Sequence, residues 1–160
     1  MMPGIRAHHR LPRPRRAVAT LAVALLLPLT GCGGDSTEDY CGAIQAANKK
    51  VAAMIASDSP SALLSNVPLL KDLAQEAPED IADEWQTLIG ALEGLDEALD
   101  DAGVQASDFT GGKPPAGLGA TDQKAIADAA GQVGGEDVVQ ATYGIEQQAR
   151  DVCKVNLGLS

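Results

Sequence analysis

The chain has 160 residues, enough for one domain. Its charge is divided: Arg6, Arg10, Arg13, Arg15 and Arg16 are the only charged residues among the first 31, and all 22 acidic residues come later. Seven basic residues against those 22 leave the part from Cys32 onward at −15, which argues against nucleic acid or an anionic lipid surface as a direct partner.

Residues 1–16 are basic and hold three prolines, and Ala17 to Leu29 reads AVATLAVALLLPL. That run is too short to span a bilayer, which takes about 20 residues, but it suits the apolar part of a cleaved export signal. It ends in Leu29-Thr30-Gly31-Cys32. This tetrapeptide resembles the lipobox of bacterial lipoproteins: an aliphatic residue, a small residue, Gly or Ala, then Cys. The resemblance covers residues 10–32 and joins the basic flank, the apolar length and the cysteine position. It implies that residues 1–31 are removed, that Cys32 carries a diacylglyceryl group, and that acyl chains hold the protein on the outer face of the cell membrane. Arg15-Arg16 forms a twin-arginine pair, and the general export route is the favoured expectation over the twin-arginine route.

Gly33 to Asp35 reads as a short tether, so residues 32–36 are expected to join the lipid to a helical domain at 37–160. Ser36-x-x-Asp39 resembles a capping box. Tyr40, Ile44, Ala47, Val51 and Met54 follow at spacings of 4, 3, 4 and 3, one stripe of a helix to about Ala56. Ser59-Pro60 opens a second helix carrying Leu63, Leu64, Val67, Leu70 and Leu73, which Pro68 should break or kink. A third starts at Ala77-Pro78-Glu79-Asp80, with acids at its positive end. Its stripe is Ile81, Trp85, Leu88, Leu92, Leu95 and Leu99, and Gly103 is a natural stop.

Residues 104–120 are polar and rich in Gly and Pro, a flexible loop of a length that in compact domains is functional or disordered. Phe109 is the large aromatic residue there and the candidate contact to a partner. Thr121 is read as the cap of a short Ala-rich helix through Ala130, and Gly131, Gly134 and Gly135 interrupt. Val138, Thr142, Ile145, Ala149 and Val152 make the last stripe, ending near Asn156. No strand pattern or internal repeat is apparent. The predicted fold is therefore all-α, a bundle of four or five helices.

Leu, Ile, Val and Phe make up only about a fifth of the residues after the signal, near the level where charged chains lose a folded core. A covalent staple is expected. Cys41 lies in the first turn of the first helix and Cys153 near the end of the last. Two free thiols in an exported protein generally pair, and antiparallel first and last helices would bring these two together. Glu38-Asp39-Tyr40-Cys41, with a cysteine in the final helix, also resembles a loose group of small actinobacterial lipoproteins, a resemblance that implies no activity.

His8 and His9 both belong to the signal, so the mature part lacks histidine and with it Ser-His and Cys-His catalysis and any His-containing zinc site. Glu93, Asp96, Glu97 and Asp100 share one face of the third helix and read as a solvated surface, with no calcium-loop pattern beside them. GGKPPAGLG at 111–119 lacks the Gly-Lys-Ser/Thr ending of a phosphate loop. No catalytic residue, metal ligand or cofactor is assigned. The expected function is a non-enzymatic binding or accessory module, its partners the membrane through the lipid and an envelope protein or small ligand. The alternatives are a small enzyme using carboxylates alone and a solute-binding component of a transporter.

Overall fold

The computed structural model describes residues 34–57 and 59–159, so the expected signal segment, Cys32 and its lipid lie outside the described residues. Six α-helices follow one another: α1 (Gly34–Ala56), α2 (Pro60–Ser65), α3 (Val67–Gln75), α4 (Ala82–Asp101), α5 (Ala120–Val133) and α6 (Glu136–Asp151). Among the described residues there is no strand, only an isolated bridge between Thr110 and Lys113. The fold is all-α, and with the broken pair α2–α3 counted as one it is a five-helix bundle. No described helix is long and apolar enough to cross a membrane.

The apolar stripes explain the packing. On α1 the five expected residues are all buried, from Tyr40 to Met54, and α4 buries every member of its stripe together with Ile89. Helix α1 begins at Gly34, ahead of the expected cap at Ser36, and takes in residues read as tether. The break predicted at Pro68 falls two residues earlier. Asn66 ends α2, donating from its backbone to the Leu63 carbonyl and from its side chain to that of Ala62. Pro68 then lies in the first turn of α3, where a missing N–H costs nothing. Helix α4 is entered through a short 3-10 turn at Glu79–Ile81 and stops as expected: Gly103 takes φ +66, and Val104 N–H donates back to the Leu99 carbonyl.

Two expectations about the last third are corrected. Helix α5 is capped at Gly119, not Thr121, and runs through Gly131 to Val133; the interruption is Gly134-Gly135 alone. Helix α6 ends at Asp151, short of Asn156, and Val152 is 46% exposed because it already lies past the helix. In place of the predicted Val152 contact, α6 buries Ala141 and Glu146. Lys154 adopts φ 60, and Val155 N–H reaches the Ala149 carbonyl at 3.0 Å, so the chain turns back on the helix end through a left-handed residue. The extended tail then buries Val155 and Leu157 by alternation.

A disulfide joins Cys41 near the start of α1 to Cys153 just past α6, closing a separation of 112 residues. It ties the first helical region to the last, the pairing expected of two thiols in an exported chain. Beside it Tyr40 and Trp85 are fully buried, and the indole N–H donates to the phenol oxygen at 3.2 Å. Each ring thus buries a large area while its polar atom keeps a partner. Burial pushes the Tyr40 phenol up to about 12 from its ordinary 10.0.

Candidate functional site

The far end of the bundle is built differently. Leu95, Leu99 and Ile126 form a second buried cluster where the last turns of α4 meet α5, with Phe109 and Leu118 packed partly against it. Above them the chain from Val104 to Gly119 makes a wall out of turn chemistry. A 3-10 turn at Ala106–Asp108 is closed by a capping box, in which Gln105 N–H donates to the Asp108 carboxylate at 2.8 Å. Next, Thr110 to Lys113 forms a tight turn with Gly111 and Gly112 at φ +61 and +74, and Lys113 N–H donates to the Thr110 carbonyl. Two central residues with positive φ define a type I′ turn, which is why this position holds two glycines. Finally the Gln123 side-chain N–H donates to the Leu118 carbonyl at 2.8 Å and ties the wall to α5.

Wall and helices border a cavity of about 430 Å³ that is open to solvent on one side. Its floor is Leu95, Leu99 and Ile126; Phe109, Gly112 and Pro114 come from the wall; Ala127 and Ala130 line it from α5, and Pro60 from the start of α2. Gln123 is the polar side chain of the lining, no charged residue takes part, and one N–H of the Gln123 amide is already engaged. The volume lies within the range of roughly 300–1,000 Å³ usual for small-molecule pockets. Phe109, the candidate contact residue, is half-buried and turned into this cavity as part of its wall.

The acidic face of α4 contributes no residue to that lining. Glu93, Asp96, Glu97 and Asp100 are all exposed, and Glu93 forms an ion pair with Lys71 of α3. Asp96 and Asp100 border a second concavity of about 380 Å³ with Ser61, Ser65, Gln105 and Ser107. Among the described residues no group of three or more Asp, Glu, Cys or His is arranged to hold a metal ion.

Sequence reasoning missed one buried charge. Glu146 on α6 is 1% exposed. One carboxylate oxygen accepts the backbone N–H groups of Leu157 and Leu159 at 3.2 and 3.1 Å, and the other lies 3.4 Å from the Arg150 guanidinium. A buried carboxylate is tolerated only with such partners, and here the hydrogen-bond donors belong to the C-terminal tail and the cation to α6 itself. Glu146 therefore holds the tail against α6. A signal for it was present: Glu146 lies between Ile145 and Ala149 on the inward side of the last stripe.

The chain matches no known family model, no curated protein and no solved structure.

Proposed function

We propose that this chain is an exported, lipid-anchored protein of the bacterial cell envelope whose helical domain works by binding and not by catalysis. The observation that carries the binding half is the cavity between α4, α5 and the 104–119 wall. In a domain with 22 acidic residues, its lining contains none. An enzyme of this composition would have to use carboxylates, and they would have to face the cleft that holds the substrate. Apolar walls with a single amide suit recognition by shape and burial.

The anchoring half rests on Leu29-Thr30-Gly31-Cys32 and the basic and apolar segments before it. The Cys41–Cys153 disulfide agrees with passage into an oxidising compartment. Cys32 carries the acyl chains in this reading, the domain stands on the outer face of the membrane, and its partner is a small ligand or another envelope component. Feeding cells a fatty-acid analogue is expected to label the wild-type chain and spare Cys32→Ala; equal labelling of both would overturn the anchor. Turnover of any substrate by the purified protein would overturn the binding reading.

A further inference from the structure

We infer that the cavity roofed by Phe109 binds an uncharged molecule with a hydrocarbon body, such as a neutral lipid. The inference rests on the binding reading above and deepens it by naming the ligand class.

Three observations carry it. The first is the lining. Leu95, Leu99, Phe109, Pro114 and Ile126 offer dispersion contacts and no ionic partner, and the one amide present donates to the Leu118 carbonyl. A charged group carried into such a place would lose its water and gain no counter-ion. The second is the surrounding field. The domain carries −15 in all, and Asp96 and Asp100 lie on the same α4 segment as Leu95 and Leu99. An acid or a phosphate ester would be repelled on approach, so the usual anionic amphiphiles are disfavoured. The third is position. Tyr40 and Trp85 meet at the disulfide end, where α1 begins two residues after Cys32. Leu95 and Leu99 are 10 and 14 residues further along α4, about 15–21 Å away at helical rise. The cavity thus lies toward the end of the bundle remote from the start of α1. Its occupant is a separate molecule and not the acyl chain on Cys32.

Photolabelling of the full lipidated chain in its native membranes tests this, with a neutral fatty alcohol bearing a diazirine in its chain as the probe. Peptide mapping is expected to place the label on the Phe109 segment and on α5 between Ile126 and Ala130. Excess unlabelled alcohol should abolish that label, and the carboxylate of equal length should leave it in place. Ala127→Trp puts an indole into the cavity from an exposed position and should remove the label without lowering the melting temperature. Ala130→Leu serves the same purpose should the Trp variant fold poorly. Label scattered over the surface and indifferent to both substitutions overturns the proposal. So does equal competition by the carboxylate. A probe excluded from the wild type but admitted by Cys32→Ala would make the protein's own acyl chain the occupant, again overturning it. Because the anchor is tested separately by fatty-acid labelling at Cys32, failure of the cavity and failure of the anchor give different results.

Discussion

The two ends of the bundle handle the same shortage of apolar residues in opposite ways. Toward the disulfide, the contributions of α1, α3, α4, α6 and the tail merge into one continuous cluster with Tyr40, Trp85, Ile44 and Ile145 at or below 1% exposure. Toward the loop, Leu95, Leu99 and Ile126 are the buried members of a second cluster, and part of the space around them is a cavity. The first end uses most of its side chains in packing, which protein interiors need for stability, and leaves a smaller space of about 160 Å³ beside Met54, Leu70, Leu88 and Leu92. The second is held by backbone turns that need little apolar area. A domain with so few large apolar residues can keep an open pocket because its packing is concentrated elsewhere and stapled covalently.

The largest effect that would break this contrast is loss of the staple. Replacing both Cys41 and Cys153 by Ala is expected to cost about 4–5 kcal/mol in the chain-entropy treatment of so long a loop. The melting temperature of the double variant reads this directly. A loss under about 1 kcal/mol would mean that the cluster around Tyr40 and Trp85 holds itself together, and that composition is a poor guide to the need for a staple here.

Next comes a matched pair on the two clusters. Leu92→Ala, at a site 1% exposed in the main cluster, should cost about 2–5 kcal/mol. Ile126→Ala should fall toward the low end of that range, because its cluster has Leu95 and Leu99 as its other buried members and borders a cavity of about 430 Å³, against about 160 Å³ beside Leu92. Denaturant midpoints of the two variants compare them. Equal losses would show that the loop end is packed as tightly as the disulfide end.

Alkaline pH probes the disulfide end alone. Tyr40 is held neutral by burial, with its phenol raised to about 12. Below pH 10 the phenol is protonated in both folded and unfolded chains, and stability is intact. Between 10 and about 12 only the unfolded chain ionises, so stability falls by about 2–3 kcal/mol across that window. In Tyr143→Phe, where Tyr40 is the remaining tyrosine, the absorbance of the phenolate should rise near 12 or together with unfolding. Titration near 10 with the fold intact would contradict the buried pair.

How much of this was readable in the sequence depends on what set each feature. The stripes of α1 and α4 were legible because a single face, repeated every three or four residues, decides burial there, and the staple followed from where Cys41 and Cys153 fall. The ending of α6 was not, since Lys154 occupies a left-handed position that usually signals itself with Gly. Without that signal the stripe reads as a continuing helix, although Val155, Leu157 and Leu159 alternate as an extended tail does. Glu146 was hidden for a related reason. Its partners are backbone N–H groups of the tail, which carry no side-chain signature. The cavity was illegible because it is bounded by the path of the 104–119 segment; composition marks such a segment as a loop but says nothing of which way Phe109 turns. Breaking the clamp is a modest perturbation: Glu146→Gln keeps an acceptor and loses the charge, so about 1 kcal/mol is expected. Faster hydrogen exchange at the Leu157 and Leu159 amides would locate the loss in the tail, and unchanged exchange would mean that Val155 and Leu157 hold it unaided.

A comparably modest effect bears on whether the 104–119 segment is a built wall or a flexible tip. Gly112 takes φ +74, and a Cβ added there would meet nothing within 4 Å. Gly112→Ala therefore introduces no clash, and its whole effect is backbone strain. If the type I′ turn is held as described, the substitution should cost about 1–2 kcal/mol, the usual penalty of a left-handed alanine. That strain should be felt locally. Exchange at the Lys113 amide, which donates to the Thr110 carbonyl at 3.2 Å, should quicken, while Tyr40 and Trp85 report no change. A flexible tip would respond otherwise, because a chain free to leave positive φ does so at no expense and gains slightly from the reduced entropy of its unfolded state. No loss of stability, or a small gain, would therefore mean that Gly112 and Pro114 are not a fixed wall, and the cavity would have to be drawn open on that side.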